Sequence, residues 1–144
     1  MVYLFGELDG NVHVLDYDAS AGSLKLRQSV SALPAGVTGR IAAADVHITP
    51  DAKFVYASDR TSNTITGFRV DPKSGALTLI ETIPTEQMPR SFAIDATSRF
   101  LFLVGMKSNH MSGYRIDAGT GKLIQLKQYE MGKTPNWVEI LDLP

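Results

Sequence analysis

The sequence predicts an all-β protein built from about three four-stranded blades of a β-propeller. Three observations predict this fold class. The chain repeats itself at offsets of 53 and then 46 residues, and repeats of that length, filled with short strands, are typical of propeller blades. Short runs rich in β-branched and aromatic residues alternate with clusters of turn-forming residues. Finally, no stretch keeps the hydrophobic period of a helix.

Two sets of matching segments carry the repeat. The first set lies near the start of a strand in each copy, and the second set closes a turn further along. The first set is Val2-Tyr3, Val55-Tyr56 and Leu101-Phe102, and the second is Gly22-Ser23-Leu24, Gly75-Ala76-Leu77 and Gly121-Lys122-Leu123. Because the first offset exceeds the second by seven residues, we expect an insertion after the first copy.

The strands follow one another in a fixed order within each blade. A blade runs from an inner strand A through strands B and C to an outer strand D. In this notation residues 1–31 supply strands B–D of one blade, residues 43–84 a second blade and residues 89–130 a third. Residues 135–142 supply a closing inner strand, which we expect to pair with an initial strand B. The chain 1–144 is therefore predicted to be a partial propeller.

Three blades are fewer than a closed ring contains. Closed propellers have four to eight blades, and open sheet edges pair with other chains. The chain is therefore either a piece of a longer protein or a unit that assembles with copies of itself. The second alternative predicts a homo-oligomer that completes the propeller, and the sequence leaves both open.

Composition limits the classes of partner and cofactor. A net charge of −1 gives no general attraction to nucleic acid or to acidic membranes, so neither is expected as a partner. The chain has no cysteine, and its three histidines lack metal-ligand spacing, so we expect no metal and no other cofactor. No apolar run approaches the ~20 residues of a membrane span, and Met1–Glu7 lacks the basic region of a signal peptide. These features predict a cytoplasmic protein.

Polar residues that turn chemistry does not explain gather on one predicted face. In a meander the D–A connections and the B–C loops share a face. Glu7, Arg60 and Met106 occupy the same repeat position, where strand B enters the B–C loop. The other polar residues predicted for this face are Asp45, His47, Arg90, Lys107, Ser108, His110 and, in the long connection Ser31–Ala43, Arg40. Repeat proteins often carry insertions on their binding face, so this face is the predicted site.

These residue types suit anion binding and the attack of water on an activated ester. Arg60, Arg90 and Lys107 are candidates to hold a phosphate or carboxylate, since arginine offers a bidentate fork. Glu7 is a candidate general base, and His47, with an unperturbed pKa of ~6.5, is suited to proton transfer near neutral pH. The same set also fits simple anion binding. Two structural alternatives are also open. Arg60 and Glu7 can form an ion pair that only joins neighbouring blades, and His47 can be a hydrogen-bonded residue of an inner strand without a catalytic role.

Six segments resemble the lactonase family of seven-bladed propellers, best known as cycloisomerase-type bacterial 6-phosphogluconolactonases. In chain order they are Gly6-Glu7-Leu8, Ala44-Asp45-Val46-His47-Ile48-Thr49-Pro50-Asp51, Tyr56-Ala57-Ser58-Asp59-Arg60, Pro84-Thr85-Glu86-Gln87-Met88-Pro89-Arg90-Ser91-Phe92, Gly105-Met106-Lys107-Ser108-Asn109-His110 and Thr134-Pro135-Asn136-Trp137-Val138. They extend over nearly the whole chain, and it is the C-terminal portion of the family fold that they resemble.

The resemblance implies an enzyme that hydrolyses 6-phospho-D-glucono-1,5-lactone to 6-phosphogluconate in the oxidative pentose phosphate pathway, without a metal or organic cofactor. The partner it implies is a small phosphorylated sugar lactone. We assign catalytic roles to Glu7, His47 and Arg60, of which Glu7 and Arg60 match the family pattern best. We assign contacts with the substrate to Arg90, Lys107 and His110.

Two residues depart from the family pattern. The family commonly has asparagine where this chain has Gly6, and it often has an amide side chain where this chain has Met106. Both changes remove polar groups from the predicted site, and half of the pocket would come from further blades. Two alternatives therefore stay open: a non-catalytic propeller module that binds an anionic ligand or a protein, and, more weakly, a carboxymuconate-type lactonising cycloisomerase.

Overall fold

The computed structural model describes residues 1–141 as three antiparallel sheets without helices. The strands are β1 (Val2–Phe5), β2 (Asn11–Asp18), β3 (Ser23–Ser31), β4 (Ala43–Ile48), β5 (Phe54–Asp59), β6 (Thr64–Val70), β7 (Leu77–Pro84), β8 (Pro89–Ile94), β9 (Phe100–Gly105), β10 (His110–Ile116) and β11 (Leu123–Glu130). Their orders are β1-β2-β3, β4-β5-β6-β7 and β11-β10-β9-β8. The predicted all-β propeller fold is therefore confirmed.

Each sheet is a meander in which consecutive strands pair. Strand β4 contacts both β1 and β8, so β4 and β8 are inner strands, whereas β3, β7 and β11 lie at the outer edges. Residues 32–42 and 85–88 connect one sheet to the next. Across residues 1–141 the structure has no helix of the length and apolarity that crossing a membrane requires.

The B–C loop ends in the same way in all three sheets. Its last residue has a positive φ, 65° at Gly10, 57° at Asn63 and 56° at Asn109, which glycine and asparagine adopt most easily. The carbonyl oxygen of that residue accepts an N–H group from the segment that follows the outer strand of the same sheet. The pairs are Ala32 with Gly10, Thr85 with Asn63 and Met131 with Asn109, each 2.9 Å from N to O. The connections and the B–C loops thus share one face of the molecule.

The opposite face carries turns that are built from aspartate and glycine. Each C–D turn begins with an aspartate whose carboxylate accepts backbone N–H groups two or three residues later, as aspartate does in turns. The turn ends four residues further on at a glycine with positive φ. The pairs are Asp18 and Gly22, Asp71 and Gly75, and Asp117 and Gly121. This turn chemistry explains why glycine recurs at one repeat position.

Two hydrophobic clusters join neighbouring sheets. The fully buried side chains between the second and third sheets include Phe54, Tyr56 and Phe92, and burying each large apolar side chain contributes roughly 1.5–3 kcal/mol. Hydrogen bonds between the sheets add to this packing. Tyr3 Oη donates to the Gly75 carbonyl at 2.9 Å, and Tyr56 Oη donates to the Gly121 carbonyl at 2.7 Å. Packing and hydrogen bonds together therefore fix the position of each sheet relative to the next.

The predicted closing inner strand covers residues 135–142. Over residues 135–141 the structure assigns no paired strand, and residue 142 lies outside the described residues. A β-strand needs hydrogen bonds from a neighbouring strand, and β1 pairs with β2 in residues 1–141. The pairing of residues 135–142 with a strand B stays a prediction.

Candidate functional site

The candidate site lies on the face that carries the sheet connections and the B–C loops. We call this face the rim, and it consists of residues 6–10, 32–42, 60–63, 85–88 and 106–109. Backbone hydrogen bonds fasten these segments to one another. Ala43 N donates to Glu7 O, Arg60 N donates to Ala42 O and Met106 N donates to Met88 O, each at 3.0 Å. The side chains of the rim are therefore carried on a fixed backbone.

Glu7 and Arg60 form an ion pair between the first and second sheets. Arg60 Nη2 lies 2.5 Å from Glu7 Oε1, and Arg60 Nε donates to the Ala42 carbonyl at 3.2 Å. The Arg60 side chain is 18% exposed, whereas that of Glu7 is 63% exposed. The guanidinium is thus held in place by backbone and carboxylate together, while the carboxylate stays open to solvent.

A cleft of about 480 Å³ opens beside this pair on the rim. It is lined by Arg40, Ala42, Arg60, Thr61, Asn63, Gln87, Met88 and Lys107. Its volume lies within the usual range for small-molecule sites, about 300–1,000 Å³. Three of the lining residues are cationic, and the only carboxylate paired with them in residues 1–141 is that of Glu7. Such a cleft favours an anionic ligand.

Asp45 and His47 form a second polar pair, on strand β4. His47 Nε2 lies 3.2 Å from Asp45 Oδ2, and the His47 ring packs edge-on against Phe92, with the ring centres 4.9 Å apart. Asp45 Oδ2 also accepts the Phe92 N–H at 3.1 Å. This pair faces strand β8, and neither residue is among those that line the cleft.

The hydrogen bond between Asp45 and His47 shifts both pKa values. Burial acts to raise the pKa of Asp45, but hydrogen bonds from His47 and from the Phe92 N–H outweigh it and hold that pKa below its usual value. The hydrogen bond to Asp45 raises the pKa of His47 above its usual value, against the opposing effect of partial burial. His47 therefore loses its proton at a higher pH than an isolated histidine.

Replacing Asp45 with asparagine is expected to lower the pKa of His47 towards ~6.5. Because the folded-state pKa of His47 lies above its unfolded value, this contact stabilises the fold fully below pH ~6.5 as long as Asp45 is ionised, and the stabilisation is lost as the pH rises through the folded pKa. The free energy of unfolding lost in Asp45→Asn should therefore shrink as the pH rises above ~6.5.

The measurement is an NMR titration of the histidine rings in the wild-type and Asp45→Asn proteins, with urea unfolding at each pH. The His13 ring is the internal control, since it pairs instead with Asp9 and Ser29. An unchanged His47 pKa in the variant would contradict the assignment.

The structure brings some of the predicted site residues together and leaves others apart. Arg60 and Lys107 line the cleft, and Glu7 contacts Arg60. Arg90 is exposed at a β-bulge, since Pro89 pairs with Gly105 and Ser91 pairs with Val104. His110 starts strand β10, with Nδ1 2.6 Å from the Ser108 carbonyl oxygen. Arg90, His110 and His47 are not among the residues that line the cleft.

Sequence reasoning did not assign a role to three of the polar residues that line the cleft. Arg40 was predicted for this face because of the extra length of its connection, but no contact with a ligand was assigned to it. Asn63 ends a B–C loop at positive φ, and its Oδ1 accepts the Met88 N–H at 2.8 Å. Gln87 lies in a segment that carries the family resemblance, but the segment does not indicate that Gln87 lines the cleft, because this depends on the path of the connection 85–88.

The residues of the cleft supply cations and amides rather than metal ligands. Nowhere in residues 1–141 are three histidine, cysteine, aspartate or glutamate side chains grouped so that they could hold a metal ion. Chemically, this arrangement offers a solvent-facing carboxylate beside a fixed guanidinium, with further cations across the cleft.

Comparison with known proteins gives a consistent family. Residues 1–140 match the family model described as "Lactonase, 7-bladed beta-propeller". The chain is 45% identical over 141 residues to the 6-phosphogluconolactonase of Pectobacterium carotovorum subsp. carotovorum, covering 98% of this chain and 42% of that protein. It is 42% identical over 139 residues to the 6-phosphogluconolactonase of Serratia proteamaculans, and this match covers 96% of this chain and 42% of that protein. The chain thus spans about 42% of the length of these curated relatives.

Solved structures agree with this result. The periplasmic gluconolactonase PpgL of Pseudomonas aeruginosa superposes with a TM-score of 0.90 at 28% identity, covering 99% of this chain and 39% of that one. A putative 6-phosphogluconolactonase from Bacteroides fragilis superposes with a TM-score of 0.84 at 29% identity, and this match covers 92% of this chain and 36% of that one. The family resemblance found in the motifs is confirmed, and the chain belongs to the lactonase family of seven-bladed β-propellers.

Proposed function

We propose that a complete propeller containing this chain hydrolyses 6-phospho-D-glucono-1,5-lactone to 6-phosphogluconate. The observation that carries the proposal is the ion pair of Glu7 and Arg60 beside a cationic cleft. The names of the relatives, which are 6-phosphogluconolactonases at 45% and 42% identity, support it. Since the family fold has seven blades and this chain supplies three sheets, the remaining blades are part of the proposed enzyme. From its motifs, we place this chain at the C-terminal end of the ring.

In the proposed reaction a water molecule adds to the carbonyl carbon of the lactone. Glu7 accepts a proton from that water as general base. The Arg60 guanidinium stabilises the negative charge that develops on the carbonyl oxygen. The bond between the carbonyl carbon and the ring oxygen then breaks, and the ring oxygen takes up the proton from Glu7. Water and lactone thereby give the open-chain acid without any further reactant.

The cleft supplies binding energy away from the reacting carbonyl. Lys107 and Arg40 line it from two different segments of the rim, and neither forms an ion pair with a carboxylate of residues 1–141. We assign the phosphate of the substrate to these cations, because charge-assisted hydrogen bonds to phosphate are strong. Arg90 and His110 are proposed as outer contacts of the substrate, and His47 as a second candidate base.

A second candidate function is a non-catalytic module that binds an anion at the rim. The contacts of Arg60 favour this second candidate. Its guanidinium binds the Ala42 carbonyl next to the second sheet and also the Glu7 carboxylate of the first sheet, so that it serves to join two blades. In that case the cleft still binds a phosphorylated ligand, but no turnover occurs. The exposed Glu7 carboxylate is accessible to a water molecule, and this supports hydrolysis as the first candidate.

The proposal includes a cellular location and an assembly. We place the enzyme in the cytoplasm, since phosphorylated sugars are charged and cross membranes poorly. Cell fractionation tests this location against the periplasm, where the Pseudomonas aeruginosa gluconolactonase acts according to its name. If the chain also exists on its own, copies of it are the proposed partners that complete a ring.

The test compares the hydrolysis of 6-phospho-D-glucono-1,5-lactone with that of D-glucono-1,5-lactone by the complete protein. We expect kcat/KM to be roughly 100-fold higher for the phosphorylated lactone, since one or two charged hydrogen bonds contribute about 1.5–3 kcal/mol each. Equal values for the two lactones would contradict the assignment of the cleft to phosphate. Tight binding of 6-phosphogluconate without turnover of either lactone would favour the binding module.

A further inference from the structure

Glu86 is a buried carboxylate that has no role in the reaction proposed above. It lies in the connection between β7 and β8 and is only 5% exposed. Its Oε1 accepts hydrogen bonds from Ser112 Oγ at 2.6 Å and from Gln128 Nε2 at 2.8 Å. Burial acts to raise its pKa, but these hydrogen bonds outweigh burial and hold the pKa of Glu86 below its usual value. A carboxylate buried in this way requires an explanation.

The equivalent place in the second sheet shows that the fold does not require this carboxylate. Thr66 on β6 occupies the repeat position of Ser112 on β10. Its hydroxyl donates to the Ala32 carbonyl at 2.6 Å and lies 2.9 Å from Thr82 Oγ1. In the second sheet, the partners of this hydroxyl group are therefore a backbone oxygen and a neutral hydroxyl. In the third sheet, whose B–C loop carries Lys107, the partner is the charged Glu86.

The connection that contains Glu86 holds the loop of Lys107. We call residues 85–88 the strap. Its Gln87 carbonyl accepts the Lys107 N–H at 3.1 Å, and its Met88 carbonyl accepts the Met106 N–H at 3.0 Å. Gln87 and Met88 line the cleft together with Lys107. The position of Lys107 is therefore set by the strap.

Glu86 anchors the strap to the third sheet. A side chain at the neighbouring Gly105 would approach Glu86 Cβ to 2.5 Å, so the strap and the end of β9 lie in direct contact. At the other end of the strap, Asn63 Oδ1 holds the Met88 N–H. Loss of the Glu86 hydrogen bonds would release the strap from β10 and β11 while leaving the attachment at Asn63.

We propose that Glu86 is a positioning residue, which acts through the strap to hold Lys107 over the cleft and so determines the affinity for a phosphorylated ligand. This inference rests on the proposed function, in which Lys107 binds the phosphate. It assigns Glu86 no contact with the substrate.

The test measures binding of 6-phosphogluconate and of gluconate to the complete protein by calorimetry. We expect Lys107→Ala to weaken 6-phosphogluconate binding by roughly 10- to 100-fold, which is the loss of a charged hydrogen bond. Glu86→Ala, which removes the oxygen that accepts both hydrogen bonds, is expected to weaken it by roughly tenfold and to leave gluconate binding unchanged. In the Lys107→Ala background, Glu86→Ala should cause no further loss, because both changes remove the contact of Lys107 with the phosphate.

Glu81→Ala is the matched control, because it removes a carboxylate whose contact is purely structural. Glu81 Oε1 accepts the Leu123 N–H at 2.9 Å, and Glu81 does not line the cleft. Its replacement should leave 6-phosphogluconate binding unchanged. Ser112→Ala removes one donor to Glu86 with a smaller change, and it replaces Glu86→Ala in the double-mutant cycle if that variant does not fold.

Three results would overturn the proposal: additive losses in the double variant, an equal loss of gluconate affinity, or no binding of 6-phosphogluconate by the wild type. Calorimetry does not depend on turnover. A protein that binds 6-phosphogluconate with the expected coupling but hydrolyses no lactone would therefore disprove the proposed function and leave the role of Glu86 intact.

Discussion

Replacing Arg60 with alanine is expected to lower kcat/KM for 6-phospho-D-glucono-1,5-lactone by roughly 1,000-fold. Removing one group that stabilises a developing oxyanion costs about 100- to 1,000-fold in kcat. The further loss reflects Glu7, because its partner Nη2 at 2.5 Å disappears with the guanidinium. Initial rates over a range of substrate concentrations measure the loss, most of which should appear in kcat, since the oxyanion contact and the base both act in the transition state.

Arg115→Ala is the control for this substitution. Arg115 is exposed on β10 and lies outside the cleft, so removing its charge should leave kcat/KM within about twofold of the wild type. If Arg60→Ala keeps near-normal rates, the guanidinium serves only to join two blades, and the catalytic assignment of this pair fails.

Replacing Glu7 with glutamine is expected to lower kcat by roughly 100- to 1,000-fold with little change in KM. An amide is nearly the same size as the carboxylate and can still accept the hydrogen bond from Arg60, but it cannot take up a proton. Positioned general bases contribute typically 100- to 10,000-fold to rate. The Glu7 side chain is 63% exposed, so the change should leave thermal stability unaltered.

Glu130→Gln is the control, because Glu130 is an exposed carboxylate at the end of β11. His47→Gln distinguishes the two candidate bases. A large loss in His47→Gln together with a normal rate in Glu7→Gln would transfer the role of the base to His47. Normal kcat in both variants would contradict general-base catalysis by this site.

Much of the fold could be predicted because its turns are encoded locally. The aspartate and glycine of each C–D turn satisfy the turn backbone themselves, so they recur in the sequence wherever the turn recurs. Glu7 and Arg60 could be placed together for a related reason. Residues at the same repeat position in adjacent blades are neighbours in space, and these two form an ion pair in the structure.

The full composition of the cleft could not be predicted, because part of it depends on irregular backbone. Arg90 was expected in the site as the start of an inner strand, but the bulge between Pro89 and Ser91 adds a residue there, and a bulge changes the direction of a side chain. Arg40 depends on the path of a long connection. Glu86 was part of a recognised motif, yet its contacts with Ser112 and Gln128 join residues 26 and 42 positions away.

The proposed activity of a propeller that contains this chain is the hydrolysis of a phosphorylated sugar lactone. The most direct test is the initial rate of 6-phospho-D-glucono-1,5-lactone hydrolysis by the complete wild-type protein, measured against the rate in buffer alone. We predict a saturable rate that is proportional to protein concentration and well above the rate in buffer. A rate equal to that in buffer, from a folded protein that binds 6-phosphogluconate, would contradict the claim.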